Sequence, residues 1–222
     1  MLENYNNSKM KQYDDAQWFL NRTSLNIDLS HRCPLECPRC QRQFDWRDKG
    51  EKVPGRDITM SEIVKLAKFY NKFHFCGQLS DPIHHPKFDE ILKHLHDNNI
   101  EAVIHNASSA KPKQYYIKCF KAHPTARWVF GIDGLPEESN MYRINQDGKK
   151  LFDIMLEAKK ILKDPPTWQM LIFSYNEKNI EKCIEMAKQN DIPIMISQSS
   201  RWFGDEDVYK PKNKEYLNAF FS

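Results

Sequence analysis

Short runs with apolar residues at alternate positions take turns along the chain with longer stretches whose apolar residues recur every three or four positions. The first periodicity predicts strands and the second amphipathic helices. Strands are expected over 23–30, 72–76, 100–105, 126–133, 167–174 and 193–198. Helices are expected from Thr59 onward and over 87–98, 114–121, 149–162 and 178–189. The first of these opens on a capping box, Thr59 with Glu62 three residues on, and then places Ile63, Leu66, Ala67 and Tyr70 on one face.

Strands that alternate with helices of this length imply right-handed crossovers around a parallel sheet. A closed eight-fold barrel typically needs about 250 residues, and this chain has 222. The expectation is an α/β fold, a partial (β/α)6 TIM-like barrel with parallel strands; a doubly wound open sheet is the rival. Residues 1–22 then form an N-terminal extension, with Trp18, Phe19 and Leu20 packed under the barrel, residues 23–198 the barrel, and residues 199–222 a tail or lid. In either architecture ligands bind at the C-terminal ends of the strands.

Composition narrows the class without changing that picture. A hydrophobic fraction of 40%, a charged fraction of 28% and only 7 Gly exclude collagen and generic disorder. No run of 18 apolar residues occurs and the first fifteen residues are polar, so no membrane partner is expected and the localisation expected is cytoplasmic. A net charge of +3 is too weak to announce nucleic acid as a partner. The basic and aromatic tail, with Arg201, Trp202, Phe203, Lys210, Lys212 and Tyr216, leaves a grip on RNA open beside the lid reading.

The cysteines say more. Of 6, Cys119 and Cys183 sit among helix-period apolar residues and read as small buried hydrophobes. Cys33, Cys37 and Cys40 are different: packing gives no reason to gather three thiols within eight residues, and a metal does. The spacing is C-x3-C-x2-C, three residues past the first expected strand. Structural zinc favours four ligands and would need His31 or a distant cysteine as the fourth. Three local thiolates suit a 4Fe-4S cluster with one iron left open. On spacing alone iron–sulfur stands ahead of zinc, and both stay open.

With this cysteine loop after the first strand of a six-unit β/α chain, the sequence resembles the radical S-adenosylmethionine (radical SAM) enzymes over roughly residues 23–200. The loop from Cys76 to Pro86, with Gly77, Ser80 and Asp81, is similar to that family's glycine-rich acidic motif. His105-Asn106-Ala107 stands where a Thr-Asn-Gly turn would. Ile132-Asp133-Gly134 with Arg143 ten residues past Asp133 matches a pattern common in the branch that modifies peptides and small metabolites, and Ser174 and Asn179, leading into Ile180-Glu181, resemble the family's polar strand end and Asn-initiated helix.

The resemblance implies a 4Fe-4S cluster on Cys33, Cys37 and Cys40 and S-adenosylmethionine chelating the open iron. Arg143 would then pair the SAM carboxylate, Asp81 or the neighbouring carbonyls would accept from its ammonium, and Ser174 or Asn106 would take ribose hydroxyls. It further implies reductive cleavage of SAM to a 5′-deoxyadenosyl radical that abstracts hydrogen from a peptide or protein side chain, or from a small metabolite or nucleobase. The electron would come from a low-potential donor such as flavodoxin or ferredoxin. A non-catalytic zinc or iron–sulfur module is the reading from another class.

Two departures stand out. Arg39 precedes the third cysteine, where the family usually has an aromatic residue against adenine, so Phe44 or Trp46 would take that role. One glycine of the acidic motif is missing, and Asp81 replaces the usual Glu. Taken singly, Arg143 reads as a solvated arginine, His84 and His85 as exposed loop residues, Cys76 as a buried strand cysteine, and Trp128, Phe130 and Trp168 as core.

Overall fold

Six parallel strands hydrogen-bond in strict chain order, β1 to β6, in the computed structural model of the protein, which describes residues 23–199 and 202–218. They are β1 (Ser24–Asn26), β2 (Lys72–Phe75), β3 (Glu101–Asn106), β4 (Arg127–Gly131), β5 (Thr167–Ile172) and β6 (Ile194–Gln198). Helices α1 (Met60–Leu66), α2 (Phe88–Asp97), α3 (Lys113–Ala122), α4 (Gly148–Ile161) and α5 (Ile180–Gln189) form the crossovers, and a short α6 (Glu215–Asn218) follows. A doubly wound sheet reverses its strand order at a switch point. This sheet has no reversal, which settles the rivalry in favour of the open barrel.

The expected capping box is present. Thr59 accepts the Glu62 amide proton, and Glu62 accepts from the Thr59 amide at 2.8 Å. Helix α2 buries Phe88, Ile91, Leu92 and Leu95, an i, i+3, i+4, i+7 stripe against the sheet. Burying each such side chain stabilises by about 1.5–3 kcal/mol. Trp128, Phe130 and Trp168 are core residues, with Phe88, Phe120 and Phe130 edge-on or stacked around Trp128. Cys119 and Cys183 are buried in the same core.

Strand alternation decides which side chains reach the barrel interior. In β5, Trp168, Met170 and Ile172 are buried toward the helices, while Gln169 and Leu171 face a cavity. Strand β1 is shorter than the expected 23–30. Ile27 still donates to the His74 carbonyl at 3.1 Å, but Asp28 then turns away to bind the loop after β2. The expectations for residues 1–22, including Trp18, Phe19 and Leu20, lie outside the described residues.

Candidate active site

The loops leaving the C-terminal ends of the strands are tied together by carboxylates and guanidinium groups. Asp28, just past β1, accepts from the amides of Gln78, Leu79 and Ser80 and from the Ser80 hydroxyl at 2.7 Å. That hub docks the loop after β2 onto the start of the cysteine loop. Gly77 turns this loop at φ 59°, and a Cβ there would lie 2.0 Å from the Ser80 carbonyl oxygen, so only glycine fits.

Asp81 is the second hub. Its carboxylate accepts from the Asn106 amide nitrogen at 3.0 Å, from the Ala107 and Ser108 backbone amides at 2.8 Å, and from Ile83. Asn106 also donates to the Ser108 carbonyl, while its Oδ1 is buried without a partner.

The third hub is Asp133, fully buried, whose Oδ2 lies 2.7 Å from Arg143 Nε and whose Oδ1 accepts from the Leu171 amide at 2.9 Å. Burial pushes the Asp133 carboxyl up and Arg143 pulls it back. Burial works against the Arg143 charge too, but Asp133 outweighs it and holds the guanidinium firmly cationic. Gly131 lets that guanidinium lie against the strand end, since a Cβ would meet Arg143 Nη2 at 2.9 Å. Gln146 closes the gap between strands by donating to the carbonyls of Ala107 and Gly131.

Cys33, Cys37 and Cys40 line one cavity of about 340 Å³, together with Arg42, Cys76, Gly77, Ser80, Asp81, His105, Asn106, Gly131, Tyr142, Arg143, Gln169 and Gln198. That volume is in the range of small-molecule sites. The cysteine loop is pinned from both sides. Glu36 donates its amide to the Ile144 carbonyl, and Asn145 donates to the Pro34 carbonyl at 3.0 Å. On the other flank Arg42 donates to the carbonyls of His31 (2.6 Å) and Leu79, and Arg47 to that of Cys33.

Burial pushes the Cys33 thiol up to about 12 and the Cys37 thiol up to about 11. Both therefore keep their protons until a metal displaces them. Among the described residues no three His, Cys, Asp or Glu side chains stand close enough to hold one metal ion. The buried unpartnered atoms Arg42 Nε, Asn106 Oδ1 and Gln198 Oε1 belong to residues lining the same cavity and mark it as built for a polar occupant.

No protein-family model matches the chain. Over 78 residues it is 33% identical to a probable GTP 3′,8-cyclase of Methanocella arvoryzae, and over 89 residues 26% identical to a PqqA peptide cyclase of Bradyrhizobium diazoefficiens. These matches cover 33% and 39% of the chain but only 23% and 22% of the two relatives, so the chain matches less than a quarter of either. Among solved structures, Streptococcus suis SuiB bound to its precursor peptide SuiA superposes with a TM-score of 0.66 at 13% identity, over 86% of this chain and 43% of that one. Escherichia coli HemN, described as a radical SAM enzyme, superposes at 0.55 and 11% identity, over 92% of this chain and 54% of HemN. In fold, and over about a third of its sequence, the chain is similar to radical SAM enzymes.

Within this fold the expected contact residues fall into two groups. Gly77, Ser80, Asp81, Asn106 and Arg143 line the cavity with the three cysteines. Asp133 sits behind Arg143 and is not on the cavity wall, and Ser174 is turned away, its hydroxyl donating to the Val208 carbonyl. Arg143 is mostly shielded, its side chain 15% exposed and paired with Asp133, contrary to the solvated reading. His85 is 2% exposed, not an exposed loop residue: Nε2 donates to the Ile58 carbonyl and Nδ1 accepts from the Lys87 amide. Cys76 is half-buried and borders the cavity instead of filling the core.

The segment over 202–210 folds back across the site. Asp207 accepts from Arg39 Nε at 2.7 Å and from the amides of Phe203 and Tyr209. The Arg39 guanidinium lies over the rings of Phe203 and Tyr209, and Phe44 packs on Phe203. The arginine preceding the third cysteine thus fastens the cysteine loop to the tail. Asp28, Arg42 and Gln146 were not singled out by sequence reasoning; for Asp28 the available signal was an acidic residue at the exit of a strand.

Proposed function

We propose that this chain is a radical SAM enzyme that holds a 4Fe-4S cluster on Cys33, Cys37 and Cys40 and S-adenosylmethionine beside it, and acts on a peptide or protein side chain. The carrying observation is the convergence of the three thiols with Arg143 and buried unsatisfied polar atoms on one cavity at the C-terminal strand ends. The cluster and SAM, when bound, supply one-electron, hydrogen-abstracting chemistry. The residues supply binding and exclusion of water. Arg143 engages Asp133 through Nε and Nη2, leaving Nη1 for an anionic group such as the SAM carboxylate. Asp81 has its oxygens occupied by four neutral donors, so it acts on an ammonium through its charge and through the carbonyls of its loop.

Among the described residues no strand pairs with the outer edge of β1 or β6, an arrangement that suits lateral entry of a large substrate. Support for a peptide comes from the likeness to SuiB, solved with its precursor peptide, and to PqqA peptide cyclase. The match to a GTP 3′,8-cyclase supports a small-molecule or nucleobase substrate as the second reading. The reaction needs a low-potential one-electron donor of the flavodoxin or ferredoxin class. No described helix is long and apolar enough to cross a membrane.

Anaerobic reconstitution should give about four irons and four sulfides per chain, and reduction with dithionite should release 5′-deoxyadenosine from SAM. Cys37→Ala should abolish that release. Stoichiometric zinc in anoxically purified protein, or no 5′-deoxyadenosine from the reconstituted protein, overturns the reading.

A further inference from the structure

Arg42 is the one cavity-lining arginine without an acidic partner. Its residue is 5% exposed, and among the described residues no carboxylate lies within the 4 Å that defines an ion pair. Arg39 and Arg143, at the same end of the sheet, each have an aspartate at 2.7 Å. The Arg42 guanidinium donates only to carbonyls: His31 at 2.6 Å, Leu79, and Cys33 at 3.4 Å. Its Nε is buried without any partner. Nearby Arg47 reaches the same Cys33 carbonyl at 3.3 Å but is itself paired with Glu36 at 3.1 Å, so Arg42 alone of the two lacks an ion-pair partner.

A buried cation whose direct contacts are all carbonyl dipoles, with Asp28 acting only from beyond ion-pair distance, is costly. The arrangement makes sense once an anion occupies the cavity. We infer that Arg42 is the counter-cation of the cluster held by Cys33, Cys37 and Cys40, and thereby sets its reduction potential; this rests on the functional reading above. A cluster bound by three thiolates is an anion, and one added electron makes it more strongly so. A fixed cation at the cavity wall therefore stabilises the reduced form more than the oxidised one, as charges and hydrogen bonds near such clusters do. The same guanidinium also bridges the cysteine loop, through His31 and Cys33, to the loop after β2, through Leu79.

Charge and clamp are separable by substitution. Arg42→Met removes both, while Arg42→Lys keeps the charge and loses the donor fork. Wild type and both variants are reconstituted anaerobically, assayed for iron and sulfide, and titrated redox-wise without SAM, with the reduced cluster followed by electron paramagnetic resonance. The Met variant should show a midpoint potential shifted negative of wild type, and the Lys variant a potential close to wild type. Should the Met variant lose its iron altogether, retention of iron and potential by the Lys variant supports the same role. Equal potentials in Met and wild type overturn it, as does loss of iron from both variants with native circular dichroism, which assigns Arg42 to the clamp alone. A wild-type chain that takes up no cluster overturns the functional reading itself, and this inference falls with it.

Discussion

Two buried aspartates stand at the top of the sheet, and the protein accommodates their charges in opposite ways. Asp81 is surrounded by neutral donors: three backbone amides and the Asn106 side chain. Asp133 is paired with a mostly shielded cation, Arg143, plus one backbone amide. The first arrangement spreads its stabilisation over several dipoles fixed by the β3 exit and the turn after Asp81. The second concentrates it in one partner that is itself largely withdrawn from water. Where dipoles satisfy a carboxylate, its removal leaves unsatisfied neutral donors. Where a cation satisfies it, removal leaves a bare charge in a low-dielectric interior.

That contrast predicts unequal costs for the same chemical change. Asp133→Asn keeps the shape and an acceptor for Leu171 but strands Arg143, and should destabilise by about 3–5 kcal/mol. Asp81→Asn turns an amide group toward backbone N–H groups that need acceptors, and should cost about 2–3 kcal/mol, one unmet buried donor being worth about 1–3 kcal/mol. Urea unfolding of the cluster-free protein measures both. Adding Arg143→Met to Asp133→Asn should recover much of the first loss, because no charge is then left unpaired. Equal costs for the two single variants, or no recovery in the double, would sink the distinction between dipole and cation compensation.

The same contrast explains which parts of the molecule could be read in the sequence. The helical stripe of Phe88, Ile91, Leu92 and Leu95 and the alternation of Trp168, Met170 and Ile172 are local periodicities, and both elements formed where expected. Cys33, Cys37, Cys40 and the ten-residue spacing of Asp133 and Arg143 are also near in sequence, so their proximity in space was legible. Asp28 binds amides fifty or more residues away, and Gln146 joins the carbonyls of Ala107 and Gly131. Such partners are set by packing between crossovers, and no local pattern announces them. Ser174 shows the converse: a polar residue at a strand end reads as a ligand contact until the tail returns to bind it. Arg39 departs from an aromatic expectation for the same reason, since Asp207 lies 168 residues further on.

The smallest expected effect uses pH to separate the aspartate hubs from the buried histidine beside them. Burial holds the His85 pKa below its ordinary value, and the hydrogen bonds agree: with Nε2–H given to the Ile58 carbonyl, Nδ1 must stay unprotonated to accept from the Lys87 amide. The unfolded chain takes up a proton near pH 6.5 and the folded chain at lower pH, so the unfolded state binds more protons in that window. Stability should be flat above pH 7 and fall as pH drops below about 6.5, by about 1 kcal/mol for His85 over the next pH unit. His123, 2% exposed with Nε2 on the Ile100 carbonyl, adds to the slope, though Thr125 can rotate its hydroxyl to relieve a proton on Nδ1. His85→Gln should therefore flatten part of the decline, while Asp133→Asn should lower the whole curve and leave its slope between pH 7 and 5.5 unchanged. A slope that vanishes in Asp133→Asn and persists in His85→Gln would assign the titration to the aspartate–arginine pair instead, and would mean that Arg143 does not keep that carboxylate ionised.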